Sequence, residues 1–348
     1  MENTFHGGFT FSRPSSRVAF LFLATLGWML GCGPPTPEER LADYRWAVAS
    51  EWGSESELMP MPPAVRLPDR AARRIDVPAH RIGALDFLGI IGCRLSEVVA
   101  ARNGSLGQVL VPTRRLAHEL DVLAALAECL PALSGERAMR LDALFEAKRG
   151  ELGAHLWNAV WLDRDLERYL SVGNPSLVGG ASRDDGPARL REAAISLAQR
   201  DALALERAFE QLRDDPPLGP MLRSIQAATI ELDRVSGLLS SLSEGRCDVR
   251  RKRLLRIFRE RYVSIQPALG DLDRRSRPAV DALLELYAQT ADRVAPPHAM
   301  RAFARKIGGS AESSEPRITE RFRAAIVSHA SAWQPIFETC GVSPGTNG

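Results

Sequence analysis

The fold class is decided by residues 188–242, which read ARLREAAISLAQRDALALERAFEQLRDDPPLGPMLRSIQAATIELDRVSGLLSSL. Apolar residues recur in this stretch every three or four positions, which is the spacing of one face of an α-helix. They are Leu190, Ala194, Leu197, Leu205, Ala208, Phe209 and Leu212, then Leu218, Leu222, Ile225, Leu232, Val235, Leu239 and Leu242. Pro216 and Pro217 separate the two series, so we predict two long helices that form an antiparallel hairpin.

The same helical spacing recurs along most of the chain. Thr36-Pro37-Glu38-Glu39 combines a capping threonine, a proline at the first helical position and a glutamate three residues after the cap, which predicts a helix to about Ser50. Further helices are predicted over 82–91, 93–102, 112–130, 136–161, 255–272 with a kink at Pro267, and 315–338. An alternating strand pattern competes only at 107–111. We therefore predict an all-α protein, a multi-helix bundle of antiparallel helices.

Two stretches interrupt the helical pattern. Five prolines between residues 59 and 78 predict an extended segment that lies across the helical body, and the glycine-rich stretch 173–186 is the best candidate boundary. These breaks divide the chain into a leader (1–31), an N-terminal part with a short helix and proline-rich linker (32–80), a first helical part (81–172), a second helical part (187–341) and a flexible tail (342–348). We expect the two helical parts to form one continuous domain.

The first 31 residues have the pattern of a secretory signal peptide. Arg13 and Arg17 precede an almost wholly apolar run over 18–30. This run is shorter than the roughly 20 residues that a membrane-spanning helix needs. It ends in Met29-Leu30-Gly31-Cys32, which resembles the bacterial lipobox, in which the cysteine receives a diacylglycerol. The alternative is a soluble secreted protein with a chance cysteine near its cleavage site.

We predict that Cys32 is the lipid-bearing N-terminus of the mature protein. Each buried methylene contributes about 0.8 kcal/mol, so two or three acyl chains hold a protein on a membrane durably. Gly33 follows the cysteine in place of the aspartate that commonly retains such proteins at the inner membrane. The sequence thus favours the periplasmic face of the outer membrane over the inner membrane.

The remaining 317 residues are nearly neutral, with 43 basic and 42 acidic side chains. This balance argues against nucleic acid as a partner. Four cysteines are left in an oxidising compartment, which predicts two disulfides with three connectivities open. We favour Cys93–Cys129 and Cys247–Cys340. No two of them form a CxxC pair; the alternative use of a cysteine is as a nucleophile beside a histidine.

One turn and one helix offer candidate binding residues. The turn is Arg102-Asn103-Gly104-Ser105-Leu106-Gly107, whose Arg102, Asn103, Ser105 and backbone amides could hold a carboxylate or phosphate, although Asn-Gly is also an ordinary helix stop. The helix carries His118-Glu119 without the second histidine that a zinc protease needs. We expect no metal site and no cofactor, and we expect His329 to be a hydrogen-bonded core residue.

Two further features each have a functional and a structural interpretation. The run from Arg246 to Arg261 places Lys252, Arg256 and Arg259 on one helix face. That face suits lipid or lipopolysaccharide phosphates, or it is solvated and paired to acids such as Glu285. The second feature is a tryptophan pair at positions 157 and 161, which could stack on sugar but is more often part of a core.

Several motifs in this order resemble one known family. They are Leu85-Asp86-Phe87-Leu88 before Cys93, the turn 102–107, Arg115-Leu116-Ala117-His118-Glu119-Leu120 before Cys129, His155-Leu156-Trp157-Asn158, and Arg246-Cys247 before the arginine-rich helix. Together with Cys32 they resemble a family of uncharacterised proteobacterial lipoproteins that is classed as a domain of unknown function. The similarity runs from Cys32 to about Gly341. It departs from the family at Gly104, where serine is usual, and it implies no activity.

Two functions from different classes follow from the sequence. The first is a lipid-anchored, non-enzymatic binding or structural module of the cell envelope whose partner is another envelope protein or a glycan. The alternative is a periplasmic, hydrolytic enzyme that uses polar groups near Asn103, Ser105 and His118. Neither a nucleotide loop nor a Gly-x-Ser-x-Gly elbow supports the enzyme.

Overall fold

The computed structural model describes residues 36–51, 62–80, 82–103, 110–172, 184–242, 245–310 and 314–343. The predicted signal peptide, Cys32 and Ser105 lie outside these ranges. The helices are α1 (Pro37–Ser50), α2 (Arg70–Arg73), α3 (Ala84–Leu88), α4 (Arg94–Asn103), α5 (Pro112–Cys129), α6 (Gly135–Trp161), α7 (Arg164–Tyr169), α8 (Gly186–Gln199), α9 (Ala202–Gln211), α10 (Leu218–Ser240), α11 (Val249–Ile257), α12 (Val263–Ala291), α13 (His298–Gly308) and α14 (Ile318–Cys340).

The described residues contain no strand, and their one β-bridge joins Ser310 to Glu315. The predicted all-α class is therefore confirmed. The predicted start of α1 is also confirmed, because its capping box is formed: the Thr36 hydroxyl accepts from the Glu39 amide at 3.2 Å, and the Glu39 carboxylate accepts from the Thr36 amide at 2.7 Å. None of the described helices is both long and apolar enough to cross a membrane.

The stretch 188–214 forms two helices where we predicted one. Arg200 adopts the left-handed conformation (φ 59°) and ends α8. Asp201 then caps α9, accepting from the amides of Leu203 at 3.1 Å and Ala204 at 2.8 Å. The apolar spacing continues across this break, which is why periodicity alone does not reveal it.

The predicted hairpin between 188–214 and the helix from Leu218 is wrong. The helices that fold back on each other are α8 and α9, whereas α10 packs chiefly on α14 and α1. Once the chain reverses at Arg200, the apolar stripe of α8 is buried against α9 and α12. The stripe of α10 is then free to bury itself between helices from both ends of the chain.

The predicted helix over 255–272 is part of a longer one. A π-helical turn at Phe258–Tyr262 joins α11 to α12, which continues past Pro267 to Ala291. This helix contains both Pro267 and Pro278, so neither proline ends it. We did not predict α13, although Met300, Phe303 and Ile307 have helical spacing and are buried.

The core crosses the glycine-rich break that we proposed as a boundary. One large apolar cluster includes side chains from α1, α6, α8, α10, α12 and α14. Trp161, from before the break, donates a hydrogen bond to the Thr290 hydroxyl, from after it, at 3.0 Å. A smaller cluster around Ile90, Leu95 and Leu126 packs between α4, α5 and the start of α6. Residues 36–348 form one compact unit.

Both favoured cysteine pairs lie at disulfide distance. The Cα atoms are 6.0 Å apart in Cys93–Cys129 and 4.9 Å apart in Cys247–Cys340. The first pair lies in the smaller cluster and ties the start of α4 to the end of α5. The second ties the segment before α11 to the last residue of α14.

Candidate functional site: the strap cleft

Residues 62–80, here called the strap, lie across the helical body as the sequence predicts. The strap is extended apart from the single turn α2. Its first part is held by Gln226 of α10, whose side-chain oxygen accepts from the Val65 amide at 3.0 Å and whose nitrogen donates to the Pro63 carbonyl at 3.1 Å. Its end is held by His80, whose Nε2 lies 2.8 Å from a Glu151 carboxylate oxygen of α6.

The middle of the strap is held by α6. The Trp157 indole donates to the Arg73 carbonyl at 2.7 Å. Asn158 pairs with both backbone groups of Ile75: its oxygen accepts from the amide at 3.0 Å and its nitrogen donates to the carbonyl at 2.7 Å. Because proline-rich segments lack regular backbone partners, these side chains replace the hydrogen bonds that a neighbouring strand would supply.

A cleft of about 710 Å³ separates the strap from the N-terminus of α5 and the C-terminal part of α6. This volume lies within the usual range of small-molecule sites, roughly 300 to 1,000 Å³. We call it the strap cleft. Its lining residues are Arg70, Ala71, Arg74, Ile75, Asp76, Val77, Leu110, Pro112, Arg115, His155, Asn158 and Leu162.

His155 forms part of the cleft wall and is only 8% exposed. Its imidazole makes no hydrogen bond to any described residue, and its ring nitrogens are not among the fully buried atoms that lack a partner, so they are open to a group in the cleft. Burial lowers the pKa of His155; the carboxylate of Glu119 opposes that effect and the ammonium of Lys148 adds to it. The imidazole is therefore neutral at pH 7, with one donor and one acceptor nitrogen available.

The charged side chains of the cleft are mostly basic. Arg70, Arg74 and Arg115 line it together with a single acid, Asp76. Arg74 pairs with Asp76 at 3.2 Å, and both side chains are exposed, so this ion pair is weak. Arg115 is exposed and has no ion-pair partner among the described residues. Arg70 pairs with Glu167 at 3.4 Å, so among the described lining residues Arg115 is the cation left to attract an anion into the cleft.

A polar seam of α5 and α6 side chains continues from the cleft. Lys148 donates to Glu119 at 2.5 Å, and both side chains are largely buried. Burial by itself raises the pKa of Glu119, but the hydrogen bond and charge of Lys148 outweigh burial and hold the pKa below its ordinary value. Glu119 is therefore ionised at neutral pH, and its partner Lys148 compensates the charge.

Two of the four candidate binding residues, Arg102 and His118, interact electrostatically. Burial lowers the pKa of His118; Glu119 opposes this effect and the guanidinium of Arg102 adds to it, which places Arg102 and His118 in one electrostatic neighbourhood. Both are partly buried. Asn103 is the last residue of α4 and Ser105 lies outside the described residues, so the turn between them is not part of the described site.

The residues that shape the cleft were not singled out as a site from the sequence. His155 and Asn158 lie three positions apart, as do Arg115 and His118, so each pair shares a helix face. Around the first pair the helix is otherwise apolar and buried: Leu152, Ala154, Leu156, Trp157, Ala159, Val160 and Trp161. A polar pair in such a stretch is the signal that would have pointed to this site.

The structure decides one of the two features that have both a functional and a structural interpretation. Trp157 and Trp161 are buried and pack on each other with ring centroids 5.7 Å apart, so they belong to the core. In the basic run, Arg253 and Arg261 pair with Glu51 and Asp43 around α1. The described residues include no ion pair between this run and Glu285.

Comparison with known proteins identifies a family and no function. Residues 41–344 match the family described as Protein of unknown function (DUF3080). No curated protein and no solved structure matches the chain.

Proposed function

Because the chain belongs to the DUF3080 family, whose function is unknown, we propose a function from its residues: it is a lipid-anchored cell-envelope protein that binds an anionic group of another envelope component in the strap cleft. The group is a carboxylate or a phosphate, carried by a protein or a glycan. The protein acts by binding rather than by catalysis. It attaches through Cys32 to the periplasmic face of the outer membrane.

A single observation carries the proposal, namely the imidazole of His155, which has no hydrogen-bond partner among the described residues and lines the same cleft as three arginines. A ligand oxygen in the cleft would accept a hydrogen bond from the N–H of the neutral His155 imidazole. Arg115 would supply the charge, and two parallel N–H groups of a guanidinium suit a carboxylate or phosphate.

The cysteines and the N-terminal sequence pattern support the proposed periplasmic location. Two cysteine pairs at disulfide distance suit an oxidising compartment. The apolar run 18–30 followed by Leu30-Gly31-Cys32 suits export and lipidation. A small, fixed cleft on such an anchored body suits capture of a component that lies close to the membrane.

The test is an NMR titration of the histidine ring signals with inorganic phosphate and, separately, with acetate. We expect one of the two anions to shift the His155 signal. We expect Arg115→Gln to weaken the binding of that anion about tenfold or more, because the variant loses a charge-assisted hydrogen bond. The matched control is Arg114→Gln, because Arg114 is the neighbouring residue and pairs instead with Glu206 at 2.6 Å. A shift of equal size in both variants, or no shift with either anion, would overturn the proposal.

A second function, hydrolysis, is favoured by one specific observation. His155 is neutral and lies near the ionised Glu119, which is a pairing that general bases use. If the protein is an enzyme, envelope extract incubated with it should yield new small products, and His155→Gln should abolish them while a ligand still binds. Binding without product formation supports the binding module.

A further inference from the structure

We propose that the outward faces of α1 and α11 lie against a membrane surface and bind the phosphates of anionic lipid headgroups. The surface, here called the basic face, consists of Trp46 on α1 and the exposed cations of the run 246–261. These cations are Arg246, Arg250, Lys252, Arg253, Arg256 and Arg259. The inference goes beyond the strap cleft, and it rests on the proposed anchor at Cys32 only for its orientation.

The charge of this face is the first observation. Arg246, Arg250, Lys252, Arg256 and Arg259 are exposed and have no ion-pair partner among the described residues. The exposed acids on the same run are Asp248, which caps α11, and Glu260. A nearly neutral protein thus concentrates positive charge on one short segment of the chain. Anionic headgroups attract such charge, at about 1 kcal/mol for each basic side chain near the surface.

The second observation is Trp46, which is 63% exposed. It lies on the outward stripe of α1, between Asp43, which pairs with Arg261 of the π-helical turn, and Glu51, which pairs with Arg253 of α11. A tryptophan side chain exposed to this extent is costly to leave in water, and tryptophan is typical of the headgroup region of a bilayer. On α11 and at the start of α12, Val249 and Val263 are exposed as well.

The third observation is the position of α1 relative to Cys32. Only Gly33, Pro34 and Pro35 separate Cys32 from Thr36, a span of at most about 14 Å. Trp46 is ten residues further along a helix that rises about 1.5 Å per residue. A lipid at Cys32 would therefore hold α1 close to the bilayer. α11 and the π-helical turn that follows it lie alongside α1 through the pairs Glu51–Arg253 and Asp43–Arg261.

The experiment uses a chain of residues 36–348, which contains the whole core and both cysteine pairs in one compact unit. It lacks Cys32, so the result does not depend on lipidation or on the strap cleft. We measure co-flotation with vesicles of phosphatidylcholine and with vesicles that also contain phosphatidylglycerol. We expect binding only to the vesicles with phosphatidylglycerol, and loss of that binding in high salt.

The test variant is Lys252→Gln/Arg256→Gln/Arg259→Gln, and we expect it to bind roughly 100-fold more weakly, since each cation contributes about 1 kcal/mol. The matched control is Arg191→Gln/Arg207→Gln, because these two exposed arginines lie on α8 and α9, which pack on other parts of the molecule. In the wild-type chain, Trp46 fluorescence, isolated as the difference from Trp46→Phe, should shift to shorter wavelength on binding. Equal binding by the test and control variants, or no binding to either kind of vesicle, would overturn the proposal.

Discussion

His329 shows what burial does to a single titratable side chain. It lies on α14 and is fully buried in the protein core. Its Nε2 is 2.8 Å from the Tyr44 hydroxyl and accepts from the Trp333 indole at 3.2 Å. Its Nδ1 is buried without a partner. Burial lowers the pKa of His329 to about 3, so the residue is neutral in the folded protein, and the prediction of a hydrogen-bonded core histidine is confirmed.

This burial predicts an acid-sensitive contribution to stability. The unfolded chain binds a proton at His329 near its ordinary pKa of 6.5, whereas the folded chain does so only near 3. Between these values the unfolded state holds more protons, so the free energy of unfolding falls as pH falls, by up to about 1.4 kcal/mol per pH unit. Urea unfolding across this window should show a shallower pH slope for His329→Phe than for wild type. Identical slopes would show that His329 titrates normally.

Asn158 is the residue on which the strap cleft depends most directly. Replacing it with aspartate keeps the acceptor for the Ile75 amide but removes the donor to the Ile75 carbonyl. We expect Asn158→Asp to lower the free energy of unfolding by roughly 1 to 3 kcal/mol, because a partly buried carbonyl then faces a carboxylate. Hydrogen exchange should rise at residues 70–77. Gln226→Glu makes the same chemical change opposite the more exposed Pro63 carbonyl, so it should lower the free energy of unfolding by less. A larger loss of stability in Gln226→Glu than in Asn158→Asp would contradict this prediction.

At the scale of elements, the reversal at Arg200 determines which helices become neighbours. A non-glycine residue at φ 59° carries a steric cost that glycine does not. We expect Arg200→Gly to raise the free energy of unfolding by about 0.5 to 1 kcal/mol, measured by thermal or urea unfolding. The control is Arg191→Gly within α8, which should lower it by about 1 kcal/mol, as glycine does in helix interiors. Destabilisation of equal size at both sites would mean that the reversal is not strained.

The two disulfides act on different elements. Cys93–Cys129 has a sequence separation of 36 and links two elements of the smaller cluster. Cys247–Cys340 has a separation of 93 and links the segment before α11 to the end of α14. In the chain-entropy account these loops contribute about 4 and about 5 kcal/mol. The smaller cluster has only a few buried side chains, so the first disulfide supplies stability that its packing lacks.

At the scale of the whole molecule, the anchor at Cys32 is what would place the basic face and the strap cleft near a membrane. We expect Cys32→Ser to abolish labelling by radioactive palmitate, and to release the protein from membranes or leave an uncleaved precursor. Cys93→Ser/Cys129→Ser also removes cysteines but should keep the label. Labelling of Cys32→Ser equal to wild type would remove the lipoprotein proposal.

The sequence by itself determined the helical class, the start of α1 and the extended strap, whereas it left three connectivities open for the four cysteines. Helix formation and capping depend on residues no more than four positions apart, such as Thr36 and Glu39, so they can be recognised along the chain. Proline restricts the backbone at its own position, and for that reason the strap is also visible in the sequence. These features are local, and the prediction needed no knowledge of neighbours in space.

Only the tertiary structure decided how the helices pair and where the cleft lies. The reversal at Arg200 interrupts an unbroken apolar pattern, and α10 then packs on α1 and α14 from opposite ends of the chain. The cleft exists because Asn158 holds the backbone of Ile75, 83 residues earlier in the chain, above His155. Contacts over such separations depend on how all apolar faces are buried together, and that is a property of the complete packing and not of any one segment.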